Sequence, residues 1–246
     1  MKKNFIMAGM ATVVLCALPS CENKEEKALD KYIYDQYQHS DSITHLFDNV
    51  KEITVSGQVA GYDYVDLGLP SKVKWATYNV GAKSPTGYGE FYAWGETAPK
   101  SEYTQENYKF YDNETGNFTK YLEYPGQGAY LEAEDDAATI NWGSEWRMPS
   151  NRDFEELLEI CYWRWSANFM GSGTDGMVGI SKTNGNVIFL PAGGDSFTNE
   201  HRFGYYWSSM VGPQVSYAEY LCFTAGAIYT YSHFRTNGRS VRAVVK

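Results

Sequence analysis

Residues 146–161 read WRMPSNRDFEELLEIC and combine a turn, a helix start and one apolar helix face. Ser150 can cap this helix, and Asp153 follows three positions later, as in a capping box. Apolar side chains then recur at i, i+3, i+4 and i+7, a spacing that predicts one buried face, formed by Phe154, Leu157, Leu158 and Cys161. We therefore expect one main helix, starting after Ser150, that packs on a sheet.

The C-terminal third has the pattern of short strands. Asn184-Gly185 separates two apolar runs and predicts a two-residue hairpin turn. Asn237-Gly238 is expected to turn the chain into a last strand over residues 240–245. Other strands are predicted over residues 205–208, 215–223 and 227–234, and residues 99–132 as a long loop with one short hairpin. Strands around one main helix indicate the α+β class with a mainly antiparallel twisted sheet.

The amino terminus predicts export. Lys2 and Lys3 precede an uncharged apolar run over residues 5–18. This run is shorter than the roughly 20 residues that a membrane-spanning helix needs, and it fits a signal peptide. We interpret residues 1–20 as a lipoprotein signal peptide.

The residues around Cys21 resemble the bacterial lipobox, with Leu18 three positions before the cysteine and Ser20 directly before it. The resemblance implies cleavage before Cys21 and acylation of that residue, and hence attachment to the outer membrane. An ordinary secretory signal cut near Ser20 is the alternative.

The residues after Cys21 indicate an export signal followed by a tether. Lys24, Glu25 and Glu26 resemble the surface-export signal of Bacteroidetes lipoproteins, although charge runs are also common at the start of linkers. Residues 21–57 are polar, with two stretches of helical spacing, the second over residues 43–50. We expect them to form a tether or stalk, followed by one domain over residues 58–246.

Composition excludes some partners. The 246-residue chain has a net charge of −9, without a basic cluster, which argues against nucleic acid and against anionic lipid headgroups as partners. It contains 21 Tyr, 12 Phe and 7 Trp, residues that favour strands and half-wet binding surfaces.

Many ordered motifs over residues 62–246 resemble the Fibrobacter succinogenes major paralogous domain, which is abundant in Bacteroidetes lipoproteins. The matching stretches are residues 64–71, 74–77, 79–82, 92–97, 135–138, 142–143, 146–150, 188–194, 206–209 and 240–242. Tyr78 stands where the family often has cysteine. A fainter resemblance, from Asp136 through the helix, to C-type lectin-like and formylglycine-generating folds implies a lectin-like architecture with long loops.

No cofactor and no metal site are predicted. The four histidines, His39, His45, His201 and His233, lack ligand spacing. The acidic stretch Glu132, Glu134, Asp135 and Asp136 lacks the glycine-punctuated alternation of a calcium loop. We expect Asp136 to cap a short helix and the other three to lie in solvent.

The cysteines indicate no thiol chemistry. Cys222 has no second cysteine nearby, which argues against formylglycine generation, the activity of the faintly similar enzymes. Cys161 lies on the apolar helix face and is expected to be a buried small hydrophobe. Outside the cytoplasm Cys161 and Cys222 could form a disulfide, which the sequence leaves open.

Aromatic residues and one loop are the candidate ligand contacts. Trp163, Trp165 and residues 205–207 could stack on sugars, although such clusters usually belong to the core, and this holds most strongly for Trp207. The loop over residues 194–204 carries polar groups on a rigid frame, where binding sites tend to lie. The selected candidates are Trp165, Asn199, His201 and Arg202.

These observations predict a non-catalytic surface lipoprotein that binds a glycan or a protein outside the cell. The first alternative is a structural or accessory part of a surface fibre or envelope complex, suggested by the stalk-like residues 21–57. The second is an extracellular hydrolase, since the paired carboxylates of glycoside cleavage are a spatial arrangement.

Overall fold

Short strands make up most of the regular structure. The computed structural model describes residues 40–122, 130–197 and 201–245. Within these ranges the helices are α1 (Ser40–Asp48), α2 (Ala137–Trp142) and α3 (Asn151–Ile160). The strands are β1 (Gly57–Val59), β2 (Tyr62–Val65), β3 (Lys74–Ala76), β4 (Tyr111–Asp112), β5 (Asn117–Phe118), β6 (Trp146–Arg147), β7 (Cys161–Ser166), β8 (Gly176–Ser181), β9 (Val187–Pro191), β10 (Gly204–Val211), β11 (Tyr217–Thr224), β12 (Ala227–Phe234) and β13 (Val244–Val245).

The strands form three sheets and one small hairpin. The sheet orders are β1-β2-β3-β13-β6, β7-β8-β9 and β10-β11-β12, and β4 pairs with β5. Each of these strand pairs is antiparallel. The predicted α+β class with mainly antiparallel sheets is confirmed, and so is the short hairpin in the loop region.

Helix α3 begins as predicted. The Asp153 backbone amide donates to Ser150 Oγ at 3.2 Å, and the Ser150 amide donates to Asp153 Oδ2 at 2.7 Å, which completes the capping box. Phe154 and Leu157 are fully buried, whereas Leu158 is only partly buried. Helix α3 therefore fixes the β10–β12 sheet on one side through its apolar face.

One turn and the last strand differ from the prediction. At residues 184–185 the loop has four residues instead of two, because the Ser181 amide donates to Asn186 O at 2.9 Å. The side chain of Asn184 donates to Asp66 O at 2.9 Å, so it links this loop to the first sheet. In the last predicted strand, only Val244–Val245 pair in a sheet, while Ser240 forms an isolated bridge to Tyr206.

The described part of the expected tether lies against the domain. Helix α1 overlaps the helical stretch predicted over residues 43–50 but begins three residues earlier, and its Phe47 is buried against β8 and β9. The Thr54 amide donates to Val187 O at 3.0 Å, and the Val187 amide donates to Thr54 Oγ1 at 2.9 Å. Apolar burial and these hydrogen bonds therefore attach residues 43–54 of the expected tether to the β7–β9 sheet.

The core is divided by the β10–β12 sheet. Along β11, Leu221 and Phe223 face one apolar cluster, and Tyr220 and Cys222 face another. Cys161 belongs to the first cluster, so the two cysteines lie on opposite sides of the sheet, and both are free and buried. The disulfide that the sequence left open is therefore not formed. No described helix is long and apolar enough to cross a membrane.

Candidate ligand-binding surface

The predicted ligand contacts do not form one site. The Trp165 ring is half-buried and lies 6.4 Å from the Phe223 ring. His201 is exposed and stacks on Tyr88 at 4.5 Å. Arg202 is exposed, and no hydrogen bond, ion pair or ring contact within the described ranges joins these three residues. Asn199 lies outside the described residues, as do Cys21, Lys24, Glu25 and Glu26.

Three of the candidate stacking aromatics belong to the core. Trp207 and Tyr206 have no exposed surface, and Trp163 is 8% exposed. The Trp207 indole donates to Tyr92 O at 2.8 Å, and the Tyr206 hydroxyl donates to Pro191 O at 2.6 Å. The prediction that Trp207 is a core residue is confirmed.

Two exposed aromatics, Tyr229 and Tyr231, lie instead on one face of the β10–β12 sheet. The strand register places Tyr205 and Tyr229 on either side of Cys222, and Tyr231 beside Tyr220. Tyr231 is 53% exposed, Tyr229 is 37% exposed and Tyr205 is half-buried. We call Tyr205, Tyr229, Tyr231 and His233 the tyrosine face, because side chains two positions apart on a strand share one side.

A buried arginine contacts one end of the tyrosine face, at Tyr205. The guanidinium carbon of Arg239 lies 5.0 Å from the Tyr205 ring centre, 4.5 Å from that of Trp207 and 3.6 Å from that of Tyr220. Its Nη2 lies 3.9 Å from Asp195 Oδ2, and Arg239 is only 2% exposed. Burial lowers the pKa of Arg239, and the neighbouring Tyr220 and Asp195 act in the opposite direction.

The polar end of the tyrosine face is His233. Its Nδ1 lies 3.3 Å from Asn237 Nδ2, and Tyr217 stacks beside the ring at 5.9 Å. Burial lowers the pKa of His233, the charge of Arg239 lowers it further, and Asp195 opposes this shift. The imidazole is therefore neutral at pH 7 and can accept a hydrogen bond as well as donate one.

The Tyr229 hydroxyl is also neutral at physiological pH. Burial raises the pKa of Tyr229, and the adjacent Cys222 thiol raises it further. The tyrosine face thus presents apolar ring surface together with uncharged hydrogen-bonding groups. Such a surface can stack on flat, weakly polar ligand faces and can hydrogen-bond to hydroxyl groups.

A second concave region lies at the start of α3. This cleft of about 570 Å³ is lined by Tyr130, Asp136, Arg147 and Arg152, among others. Two of its charged groups are engaged in fixing the chain. Arg147 donates to Asp153 at 2.7 Å, and Asp136 accepts from the backbone amides of Thr139 and Met148 at 2.9 and 2.8 Å. The expected helix cap at Asp136 is confirmed.

Two lysines bind the carboxylates of the acidic stretch. Carboxylate oxygens of Glu132, Glu134 and Asp135 lie within 4.8 Å of one another. Lys120 Nζ approaches all three, at 2.5, 3.3 and 2.6 Å, and Lys109 Nζ lies 2.5 Å from Asp135. Asp135 is 1% exposed, so the expectation that it lies in solvent was wrong, because two lysines and Tyr121 bind its carboxylate inside the protein.

Sequence reasoning missed Tyr229, Tyr231 and Arg239. The alternation in residues 228–234, IYTYSHF, was a usable signal, since a two-residue period places Tyr229, Tyr231 and His233 on one face. Nothing in that pattern indicates which face remains open to solvent.

Comparison of the chain with protein-family models, with curated proteins and with solved structures gave no match.

Proposed function

We propose that this protein is a lipid-anchored, cell-surface binding protein with a lectin-like domain, and that it binds a glycan through the tyrosine face. The observation that carries the proposal is the exposure of Tyr229 and Tyr231 side by side on one strand, at 37% and 53%. Large aromatic side chains are more usually buried, and aromatic rings with a polar edge are typical of binding surfaces.

A glycan fits the chemistry of this surface. The carbon-bound hydrogens on one side of a sugar ring can pack on the tyrosine rings, while its hydroxyl groups need neutral donors and acceptors at the edge. The tyrosine hydroxyls and the neutral His233 supply such groups. Arg239 helps to hold Tyr205, at one end of the tyrosine face, through its contacts with the rings of Tyr205 and Tyr220.

The proposed location at the cell surface rests on the sequence alone. Lipidation at Cys21 and export directed by Lys24, Glu25 and Glu26 would carry the domain to the cell surface. Several acyl chains anchor a protein firmly, because each buried methylene contributes about 0.8 kcal/mol. Cys21→Ala should move the protein from the membrane fraction to the soluble fraction, and a variant that still needs detergent for extraction would overturn the anchor.

The binding test is a glycan array probed with the detergent-solubilised full chain. For a glycan that binds, Tyr229→Ala and Tyr231→Ala should each weaken binding about 2- to 12-fold, since an aromatic contact is worth about 0.5–1.5 kcal/mol. Tyr130→Ala is the matched control, because Tyr130 is 47% exposed but lines the cleft at α3. Absence of binding to any glycan, or loss of binding in the control alone, would contradict the proposal.

A further inference from the structure

The two outer edges of the β10–β12 sheet differ in how they are covered. Strand β10 is covered by isolated bridges from Tyr130 to Met210 and from Ser240 to Tyr206. Strand β12 pairs with β11 along its whole length, from Thr224↔Ala227 to Tyr217↔Phe234. Within the described ranges, no strand or bridge pairs with its other side. Strand β12 therefore presents an open edge.

This edge lacks the usual protection against pairing. Exposed edges are normally short, charged, interrupted by proline or covered. Strand β1 has three residues, β7 carries the exposed Arg164, and β9 bonds to Thr54. Strand β12 has eight residues, AIYTYSHF, with no proline, lysine, arginine or acid, and its histidine is held neutral. An edge of this kind is a template for another strand.

The strand that fits best is a second copy of itself. The chain carries a net charge of −9, so two copies repel each other, and this repulsion is weakest where a surface without charged side chains meets its equal. Strand β12 is such a surface, and its central residues Tyr229-Thr230-Tyr231 read the same in both directions. We infer that two copies of this chain pair antiparallel through β12, with Thr230 on the twofold axis.

This register produces favourable cross-strand contacts. It places Tyr229 of each copy opposite Tyr231 of the other, and aromatic cross-strand pairs contribute about 0.2–1 kcal/mol each. The two tyrosine faces then join into one continuous surface on a six-stranded sheet. The pairing does not depend on glycan binding, although it would double the platform available to a long ligand.

The interface is small. The exposed parts of Tyr229 and Tyr231, at 37% and 53%, amount to about 200 Å² per copy if each side chain offers roughly 150–250 Å². Pairing covers only the sides of the rings that face the other copy, and the rest stays open on the joined surface. With the backbone of one strand added, the buried area stays well below the roughly 1,200 Å² of a stable complex. The dimer is therefore weak, and the chain is monomeric when dilute and paired when crowded.

Cysteine cross-linking of the full chain tests the register. In Thr230→Cys the two new thiols face each other on the axis, with Cα atoms about 4.5–5.5 Å apart, which suits a disulfide. In the control, Phe234→Cys, the new thiols lie about 27 Å apart, since the positions differ by eight residues along the pair. Phe234 is 44% exposed, so random collision would favour the control.

We expect a disulfide dimer for Thr230→Cys under mild oxidation, at least tenfold above Phe234→Cys and above the unmodified chain. Equal yields in the two variants, or no dimer from Thr230→Cys, would overturn the pairing. In sedimentation at high concentration, Thr230→Lys and Thr230→Glu should each remain monomeric, and an equimolar mixture should dimerise. A mixture that stays monomeric would also overturn it. Neither readout involves a glycan, so failure here leaves the proposed glycan binding to its own test.

Discussion

The guanidinium carbon of Arg239 lies over the Tyr220 ring, 3.6 Å from the ring centre. Both side chains are almost fully buried, and Nε and Nη1 of Arg239 have no hydrogen-bond partner among the described residues. Stacking on aromatic rings and the Asp195 carboxylate at 3.9 Å therefore together compensate for burying this charge. Desolvated contacts of this kind are worth about 2 kcal/mol or more.

Arg239→Lys should lower the free energy of unfolding by about 1–3 kcal/mol, because an ammonium group lacks the planar surface that covers three rings. Urea denaturation followed by tryptophan fluorescence measures the change. Arg164→Lys is the matched control, since Arg164 stacks on Phe47 at 5.0 Å but its side chain is 44% exposed. Equal effects in the two variants would show that burial does not strengthen the contact.

Leu157→Ala should destabilise the domain by about 2–5 kcal/mol, because Leu157 is fully buried between α3 and the β10–β12 sheet. Leu158→Ala should cost clearly less, since Leu158 is only partly buried. Thermal and urea denaturation of both variants provide the comparison. The reverse order would mean that the helix presents a different face to the sheet.

The capping box predicts a specific pH dependence. Burial raises the pKa of Asp153, but its hydrogen bonds from Arg147 and Ser150 outweigh this and hold the pKa below its ordinary value. A lowered pKa in the folded state stabilises the fold above the unfolded value of about 3.9, and this contribution disappears as the pH falls below that value.

Asp153→Asn should therefore lower stability at pH 7 by about 1–3 kcal/mol, and the difference from the unmodified chain should shrink at pH 3. Urea denaturation at both pH values measures this difference in the free energy of unfolding. Asp48→Asn, which removes an exposed ion pair with Arg164, is the control and should change little at either pH. A cost at Asp153 that is equal at pH 3 and pH 7 would contradict the electrostatic account.

The two described cysteines should be inert in the folded protein. Burial raises the pKa of Cys161 to about 12 and that of Cys222 to about 11, against smaller opposing effects of Lys182 and Tyr229. A thiolate-dependent reagent at pH 7.5 should modify neither residue until the chain unfolds, as read by mass spectrometry of the peptides. Rapid modification of either residue in the folded state would revive thiol chemistry.

Local patterns in the sequence predicted local structure well. The capping box at Ser150 and Asp153, the buried Phe154 and Leu157, and the cap at Asp136 depend on residues within a few positions of one another. The α+β class follows from the same patterns. The two-residue turn at Asn184-Gly185 was wrong because a distant partner, Asp66 O, binds the Asn184 side chain.

What only the tertiary structure decided is which side of each strand meets solvent and which distant groups meet. The alternation in β12 determines that Tyr229, Tyr231 and His233 share a face, but only packing leaves Tyr229 and Tyr231 open to solvent and places Arg239 and Asp195 beside them. The same holds for Cys161 and Cys222, which the sheet separates, and for Asp135, which Lys109 and Lys120 bind. Periodicity is a property of neighbouring residues, whereas burial and pairing depend on contacts between residues far apart in the chain.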